Sequence, residues 1–424
     1  MIPTFRLNPP VKQPFASFHL PPANEIKLSN QLPCLVVNTG TQEIARLELI
    51  FPIDAQKLEI INIVAKTLFA GTKLSSSKVL LDRLESLGAF HEVSSSSDRL
   101  TVSIFVLSRM LNDVLSILEE VLTSAIFPEE EIEIQRRNMI QNIRVNAEKT
   151  SLVASQTFRK VLFGESSPLG KMLTEEDVVN ITQSECLRFY NENIKNSAFQ
   201  ICLAGKFSEV QLNEFIDKMG AWKIDNSYTG LVSPFSSFNI NRNSVIVSKE
   251  GAMQASIRVG RPLFDRKHPD YFPFLVLNTA LGGYFGSRLM KNIREEKGLT
   301  YGISSSLVPS ESFGYWVLGA DVKVDLIQVV MDEIYLEIQK IQEELINEEE
   351  LETVKNYMIG SFIGSLNTAF DIADKHKTIL FNRLSDTYYF NYISNTQGVT
   401  PENIQEISKK YLKREELFEV IVGG

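Results

Sequence analysis

The 424-residue chain is 44% hydrophobic and 22% charged, an ordinary globular composition that supports two or three domains and excludes a single small module, a disordered chain or a low-complexity one. With 43 basic against 52 acidic residues, the formal charge is −9. That leaves no basic excess to neutralise phosphates or anionic headgroups, so neither nucleic acid nor a membrane is expected as a partner.

Read in chain order, the sequence opens with a proline-rich stretch to about residue 30, which predicts an extended arm rather than a helix. Leu35-Val-Val-Asn and Leu47-Glu-Leu-Ile-Phe read as strands, Leu58 to Phe69 and Ser77 to Leu87 as amphipathic helices, and Leu100 to Val106 as a strand again. From Leu111 to about Val145 the pattern is helical, broken at Phe127-Pro128. There Pro128 suits the first position of a new helix and Glu129, Glu130 and Glu131 suit its positive end. Strands and helices mixed in this way mean an α/β or α+β fold.

The most diluted stretch, rich in Asn, Ser, Gly, Thr and Pro, runs from residue 225 to 243 and reads as a linker near the midpoint. It divides the chain into the arm (1–30), a first domain (31–224) and a second domain (244–424). The two halves match each other in order. Gly88-Ala-Phe-His-Glu-Val-Ser-Ser-Ser aligns with Gly298-Leu-Thr-Tyr-Gly-Ile-Ser-Ser-Ser, and Glu129-Glu-Glu-Ile-Glu with Glu348-Glu-Glu-Leu-Glu. This predicts one α/β unit present twice.

Cys34, Cys186 and Cys202 are odd in number and lack C-x-x-C spacing, so neither disulfides nor a thiolate zinc site is expected. The N-terminus lacks the basic start and apolar run of a secretory signal, and the chain is expected to be cytoplasmic.

In the second half, Leu281-Gly-Gly-Tyr-Phe-Gly-Ser-Arg-Leu predicts a helix closed by Gly282, Gly283 and Gly286. A second helix from Ser287 to Lys297 follows, with Gly298 as its cap before a strand. The glycines alone suggest a phosphate loop only weakly, because Walker and dinucleotide spacings are absent.

The stretch from Leu281 to Ile303, with Leu68-Phe-Ala-Gly-Thr, Leu84-Glu-Ser-Leu-Gly and Phe127-Pro-Glu-Glu-Glu, resembles the pitrilysin or insulinase-type metallopeptidases, the inverzincins. The resemblance covers nearly all of the chain and points to the branch that includes mitochondrial processing peptidase. It implies an α+β fold of two homologous domains, each a mixed, largely antiparallel sheet covered by helices, arranged as half of a clamshell. It also implies that Arg294 and Tyr301 hold the substrate backbone at the scissile bond. Those residue types suit the task, since a phenol donates to an oxyanion and a guanidinium fork holds carbonyl oxygens.

The family's zinc motif, H-x-x-E-H, precedes Leu-Phe-x-Gly-Thr on a helix, where residues four apart grip one metal. Here those positions are Asn62, Ala65 and Lys66, and the distal ligand Glu falls at Asn142. An amide is a poor zinc ligand, Ala offers no base, and a protonated Lys repels the metal. No metal is therefore expected on this chain. His19, His91, His268 and His376 show no ligand spacing, and His91 with Glu92 sits at the strand position that mirrors Tyr301 and Gly302, where it either lines the cleft or has a surface or packing role.

The expectation is the non-zinc subunit of a heterodimeric zinc metallopeptidase, inactive alone. A partner of the same family supplies zinc and the catalytic Glu, and the substrate is a peptide or an unfolded segment. Two alternatives stand beside it: a catalytically inert structural or binding subunit, and a self-sufficient homodimer of different chemistry, for which no nucleophile with its base is visible.

Overall fold

The computed structural model describes residues 18–53, 57–96, 98–195, 197–224, 238 and 244–424. The start of the expected arm, to residue 17, and the expected linker, apart from Phe238, lie outside the described residues. The first half runs β1 (Asn24–Lys27), β2 (Pro33–Asn38), β3 (Ile44–Pro52), α1 (Leu58–Thr67), α2 (Ser77–Ser86), β4 (Phe90–Ser95), β5 (Arg99–Leu107) and α3 (Leu111–Ser124). It continues with α4 (Glu129–Ala147), α5 (Thr150–Phe163), α6 (Glu175–Val179), α7 (Gln183–Asn193), β6 (Gln200–Gly205) and α8 (Glu209–Gly220). The second half runs β7 (Ser244–Val247), β8 (Gln254–Leu263), α9 (Tyr271–Asn278), β9 (Thr300–Pro309), β10 (Gly314–Lys323) and α10 (Ile327–Glu343). After these come α11 (Glu348–Gly364), α12 (Ala369–Phe381), α13 (Tyr388–Gln397), α14 (Pro401–Tyr411) and β11 (Phe418–Val422).

The helices form where the apolar spacing predicts them. α1 buries Ile60, Ile61, Ile63 and Val64 against the first sheet, and α2 is capped by the Ser76 hydroxyl, which accepts from the Val79 N–H. The break at Phe127-Pro128 is shifted by one position. Phe127 takes the left-handed conformation at φ 49°, and Pro128 caps α4 from outside, leaving Glu129 as the first helical residue. A buried Phe127 ring, packed 5.3 Å from Tyr190, holds that backbone in place.

The two sheets repeat one topology. The first has the order β1-β2-β6-β3-β5-β4 and the second β7-β11-β8-β10-β9. In each, one pair is parallel (β2 with β6, β7 with β11) and the remaining pairs are antiparallel, with β1 an additional edge strand on the first sheet. Both sequence matches fall on equivalent elements. Gly88 and Gly298, at φ 63° and 61°, each turn the chain into the edge strand β4 or β9, and the Glu triplets open α4 and α11. The fold is therefore two mixed sheets, each covered by helices.

Helices α5 and α12 are exchanged between the halves. Ala154, Phe158, Leu162 and Phe163 of α5 pack on Phe418, Val420 and Val422 of β11 in the second sheet. Reciprocally, Ala369, Ile372 and Ala373 of α12 pack on Leu35, Val37, Ile50, Cys202 and Ala204 of the first. Polar groups finish each contact. The Arg258 guanidinium donates to the Ser151 carbonyl at 3.0 Å and to Ser155 Oγ at 3.1 Å. Across the other contact, Arg46 donates to Asp374 at 2.6 Å and to the Phe370 carbonyl at 3.1 Å, while Lys377 reaches Glu48 at 2.7 Å.

Burial raises the Asp374 carboxyl, but hydrogen bonds and charge from Arg46 and Lys377 outweigh it and hold it below the ordinary range. A folded-state value below the unfolded one stabilises above the unfolded value and is lost as pH falls through the folded one. Asp374→Asn is accordingly expected to cost up to about 1 kcal/mol at pH 7, since the side chain is half exposed. The difference should begin to shrink near pH 4 and vanish only as the pH falls through the depressed folded-state value, and urea midpoints of both proteins between neutral and acid pH measure it.

The three cysteines are free and buried, and burial pushes the Cys34 thiol up to about 12. They serve as small apolar side chains. Among the described residues no helix is long and apolar enough to cross a membrane.

Candidate functional site

The segment that carries Arg294 starts at the end of α9. Asn278 is buried there, and its Oδ1 accepts from Ser305 Oγ at 2.7 Å and from Trp316 Nε1 at 2.8 Å, which ties the helix end to β9 and β10. The chain then makes a π-helical turn, Thr279–Gly283, laid against β9. A Cβ on Gly282 would stand 2.6 Å from Ser305 Oγ and 3.0 Å from the Ser305 nitrogen, and one on Gly283 would press on Asn278. These glycines permit close packing of a turn on a strand. A helix, not a strand, precedes them, which removes the phosphate-loop reading. Gly282→Ala is expected to destabilise by roughly 1–3 kcal/mol through overpacking against β9, measured as a lower urea midpoint with unchanged slope.

The second helix begins at Arg288 rather than Ser287, and from Met290 to Glu296 it is π-helical, with the Lys297 N–H bonded to the Asn292 carbonyl five residues back. Its wide turn is held by side chains on two neighbouring helices. Arg288 forms a bidentate pair with Glu350 of α11 at 2.8 and 2.9 Å. Asn292 donates to Glu337 and Glu333 of α10 at 2.8 and 3.0 Å, and Lys297 pairs with Glu333 as well. These contacts hold the helix in one position.

Arg294 leaves this helix between two aromatic rings. Its guanidinium carbon lies 4.9 Å from the Phe285 centroid and 5.1 Å from that of Tyr301. Phe285 is 63% exposed and Tyr301 90% exposed, so the cage stands open to solvent. Each ring contributes about 0.5–1 kcal/mol at such a site while leaving the N–H edges free. Among the described residues Arg294 forms no ion pair, although Glu295 and Glu296 adjoin it. Tyr301 lies at a bulge of β9, between the pairs Thr300 with Val322 and Ile303 with Ala320, where the regular alternation breaks and Tyr301 faces outward. The fold thus brings Arg294 and Tyr301 together. Phe285, the second wall of the cage, went unassigned in the sequence; the signal was an aromatic within a glycine-rich turn, where packing has little use for it.

The positions aligned with the zinc motif sit on α1, beside the edge strand β4. Asn62 Oδ1 accepts from the Ser95 hydroxyl of β4 at 2.8 Å, Ala65 is buried, and Lys66 and Asn142 are exposed. One turn earlier, Glu59 is engaged by Lys171 at 3.1 Å. An amide, a methyl and an ammonium offer no nitrogen or carboxylate donor set, so these residues do not fit zinc. Among the described residues no group of three or more His, Cys, Asp and Glu is placed to hold a metal ion. His91 packs its ring 4.3 Å from Phe69, and burial pulls its pKa down, which keeps the imidazole neutral at pH 7. His19, His268 and His376 stand apart, against Phe390, Phe264 and the Pro21 carbonyl.

Residues 60–168 match the family model described as Insulinase (Peptidase family M16), and residues 180–358 the one described as Peptidase M16 inactive domain. The chain belongs to the M16 family. Among M16 relatives, it is 22% identical over 302 residues to the "Uncharacterized zinc protease YmxG" of Bacillus subtilis, covering 71% of this chain and 72% of that protein. It is 21% identical over 370 residues to the "Non-peptidase homolog YmxG" of Helicobacter pylori, covering 85% and 81%. The crystal structure of a peptidase M16 inactive domain from Pseudomonas fluorescens superposes with a TM-score of 0.83 at 20% identity, over 95% of this chain and 98% of that one. This M16 chain keeps the family scaffold, with Asn62, Ala65, Lys66 and Asn142 at the positions aligned with the zinc motif.

Proposed function

We propose that this chain is the non-zinc subunit of a two-subunit M16 peptidase that acts on peptides or unfolded segments. One observation carries the reading. Arg294, fixed in an aromatic cage, stands beside the outward Tyr301 on β9, in a chain whose α1 carries Asn62, Ala65 and Lys66 at the zinc-motif positions. β9 is the end strand of its sheet, where an extended peptide can add as a further strand. In that pose the Arg294 fork donates to substrate carbonyls, and the Tyr301 hydroxyl donates to the oxyanion that forms as the peptide bond is attacked. Zinc and the catalytic Glu belong to the partner.

The name of the Helicobacter pylori relative favours a second reading, a non-catalytic binding subunit. The test is to mix this chain with a zinc-bearing M16 protein and assay cleavage of an unstructured peptide. Activity that needs both chains, with zinc found only on the partner, supports the first reading. Stoichiometric zinc on this chain alone overturns it, and a stable complex without cleavage supports the second.

A further inference from the structure

A cavity of about 530 Å³ lies at the opposite end of α9 from the caged arginine, between the start of that helix, the α12–α13 turn and α14. It is independent of the peptidase reading. Its charged lining is of one sign, Arg266, Lys267 and Arg383, with no Asp or Glu among the described lining residues. Two acids lie nearby, one paired away from the cavity and one balancing the exposed Arg383. Asp270 is held by Lys410 at 2.7 Å and Tyr411 at 2.6 Å, and Glu311 by Arg383 at 3.0 Å.

Arg266 is the unusual member. Its Nη1 donates to the Tyr271 hydroxyl at 2.8 Å, and Tyr388 bonds to it as well, but among the described residues it pairs with no carboxylate. Its Nε is closed off from solvent with no hydrogen-bond partner. Burial pushes the Tyr271 and Tyr388 phenols up, so both stay neutral and neither offsets the guanidinium. Lys375, whose ammonium lies 5.9 Å from the Tyr389 centroid, has its pKa drawn down by burial, which outweighs the opposing charges of Asp371 and Asp374, and Arg266 adds a smaller downward pull. A partly buried cation without a counter-charge is costly, and an anion in the cavity would relieve that cost. Phe272 and Leu384 supply an apolar wall, and the volume is that of a small-molecule site.

We infer that this cavity binds a small organic anion, a carboxylate or phosphate head on an aromatic or aliphatic body, with Arg266 facing the head. The same chemistry serves either head, and phenyl phosphate and phenylacetate distinguish them. Calorimetric titration of the full chain is expected to give one of the two probes a Kd below roughly 1 mM, with inorganic phosphate or acetate about tenfold weaker and benzyl alcohol without detectable binding. Arg266→Gln should weaken the better probe at least about tenfold. Because Arg266 touches buried tyrosines, the exposed pair Lys267→Glu with Arg383→Glu provides a second arm, expected to weaken binding by a similar factor. Neither probe binding tighter than about 10 mM, or a Kd unmoved by Arg266→Gln or, should that variant fail to fold, by the double substitution, overturns the inference.

Discussion

Arg294→Ala, assayed in the mixture with a zinc-bearing partner, is expected to lower kcat/KM by about 100- to 1,000-fold, the usual cost of removing one preorganised donor to a developing oxyanion or its neighbouring carbonyls. Tyr301→Phe should fall in the same range with a different signature. A phenol that bonds only to the oxyanion stabilises the transition state alone, so kcat falls while KM holds; a guanidinium that also grips ground-state carbonyls moves both. Arg294→Lys should recover little, because an ammonium has no planar fork to lie between the Phe285 and Tyr301 rings. Both rings are exposed, so the variants should keep the wild-type urea midpoint and their affinity for the partner. Unchanged turnover in both Arg294→Ala and Tyr301→Phe would transfer the chain to the binding-subunit reading.

The largest stability effect is expected at Arg46. It is 9% exposed, lies 3.3 Å from Glu48, itself 6% exposed, and bonds Asp374 across the two halves. Arg46→Leu leaves a buried carboxylate facing Lys377 alone and frees the Phe370 carbonyl, at an expected cost of about 3–5 kcal/mol. The Arg46 Nε already lacks a partner, so the cluster is not ideally satisfied even in the native protein. Adding Glu48→Leu should therefore return much of the loss, since the second substitution removes the stranded charge. Urea unfolding of the two singles and the double closes the cycle, and strict additivity would show that the residues do not act as a cluster.

Much of this was legible from local pattern. The apolar spacing of α1 and α2 and the break near Pro128 follow from periodicity and capping. The paired matches at Gly88 and Gly298 follow from the need for the same left-handed turn before the same edge strand. Arg294 and Tyr301 were found through family resemblance, as their residue types and spacing alone describe an ordinary helix and strand. What stayed hidden depends on distant parts of the chain. The π-helical run from Met290 to Glu296 is held by Glu333, Glu337 and Glu350, which no local rule connects to it. Phe158 and Ile372 read as the apolar face of any amphipathic helix, and nothing nearby tells that each belongs against the other half's sheet. The cage around Arg294 and the charge surplus around Arg266 likewise arise only when separate segments meet.

The exchange of α5 and α12 has a consequence for biosynthesis. When the first half leaves the ribosome, α5 carries Phe158 and Leu162 with no surface to cover, and the face of β2 and β6 that α12 will occupy is bare. Strand β11, which receives α5, is made more than two hundred residues later, and it also supplies the strand between β7 and β8. Neither half can bury its apolar faces in order of synthesis. The nascent chain must wait, partly greasy and prone to association, until Phe418–Val422 emerges and both halves close together.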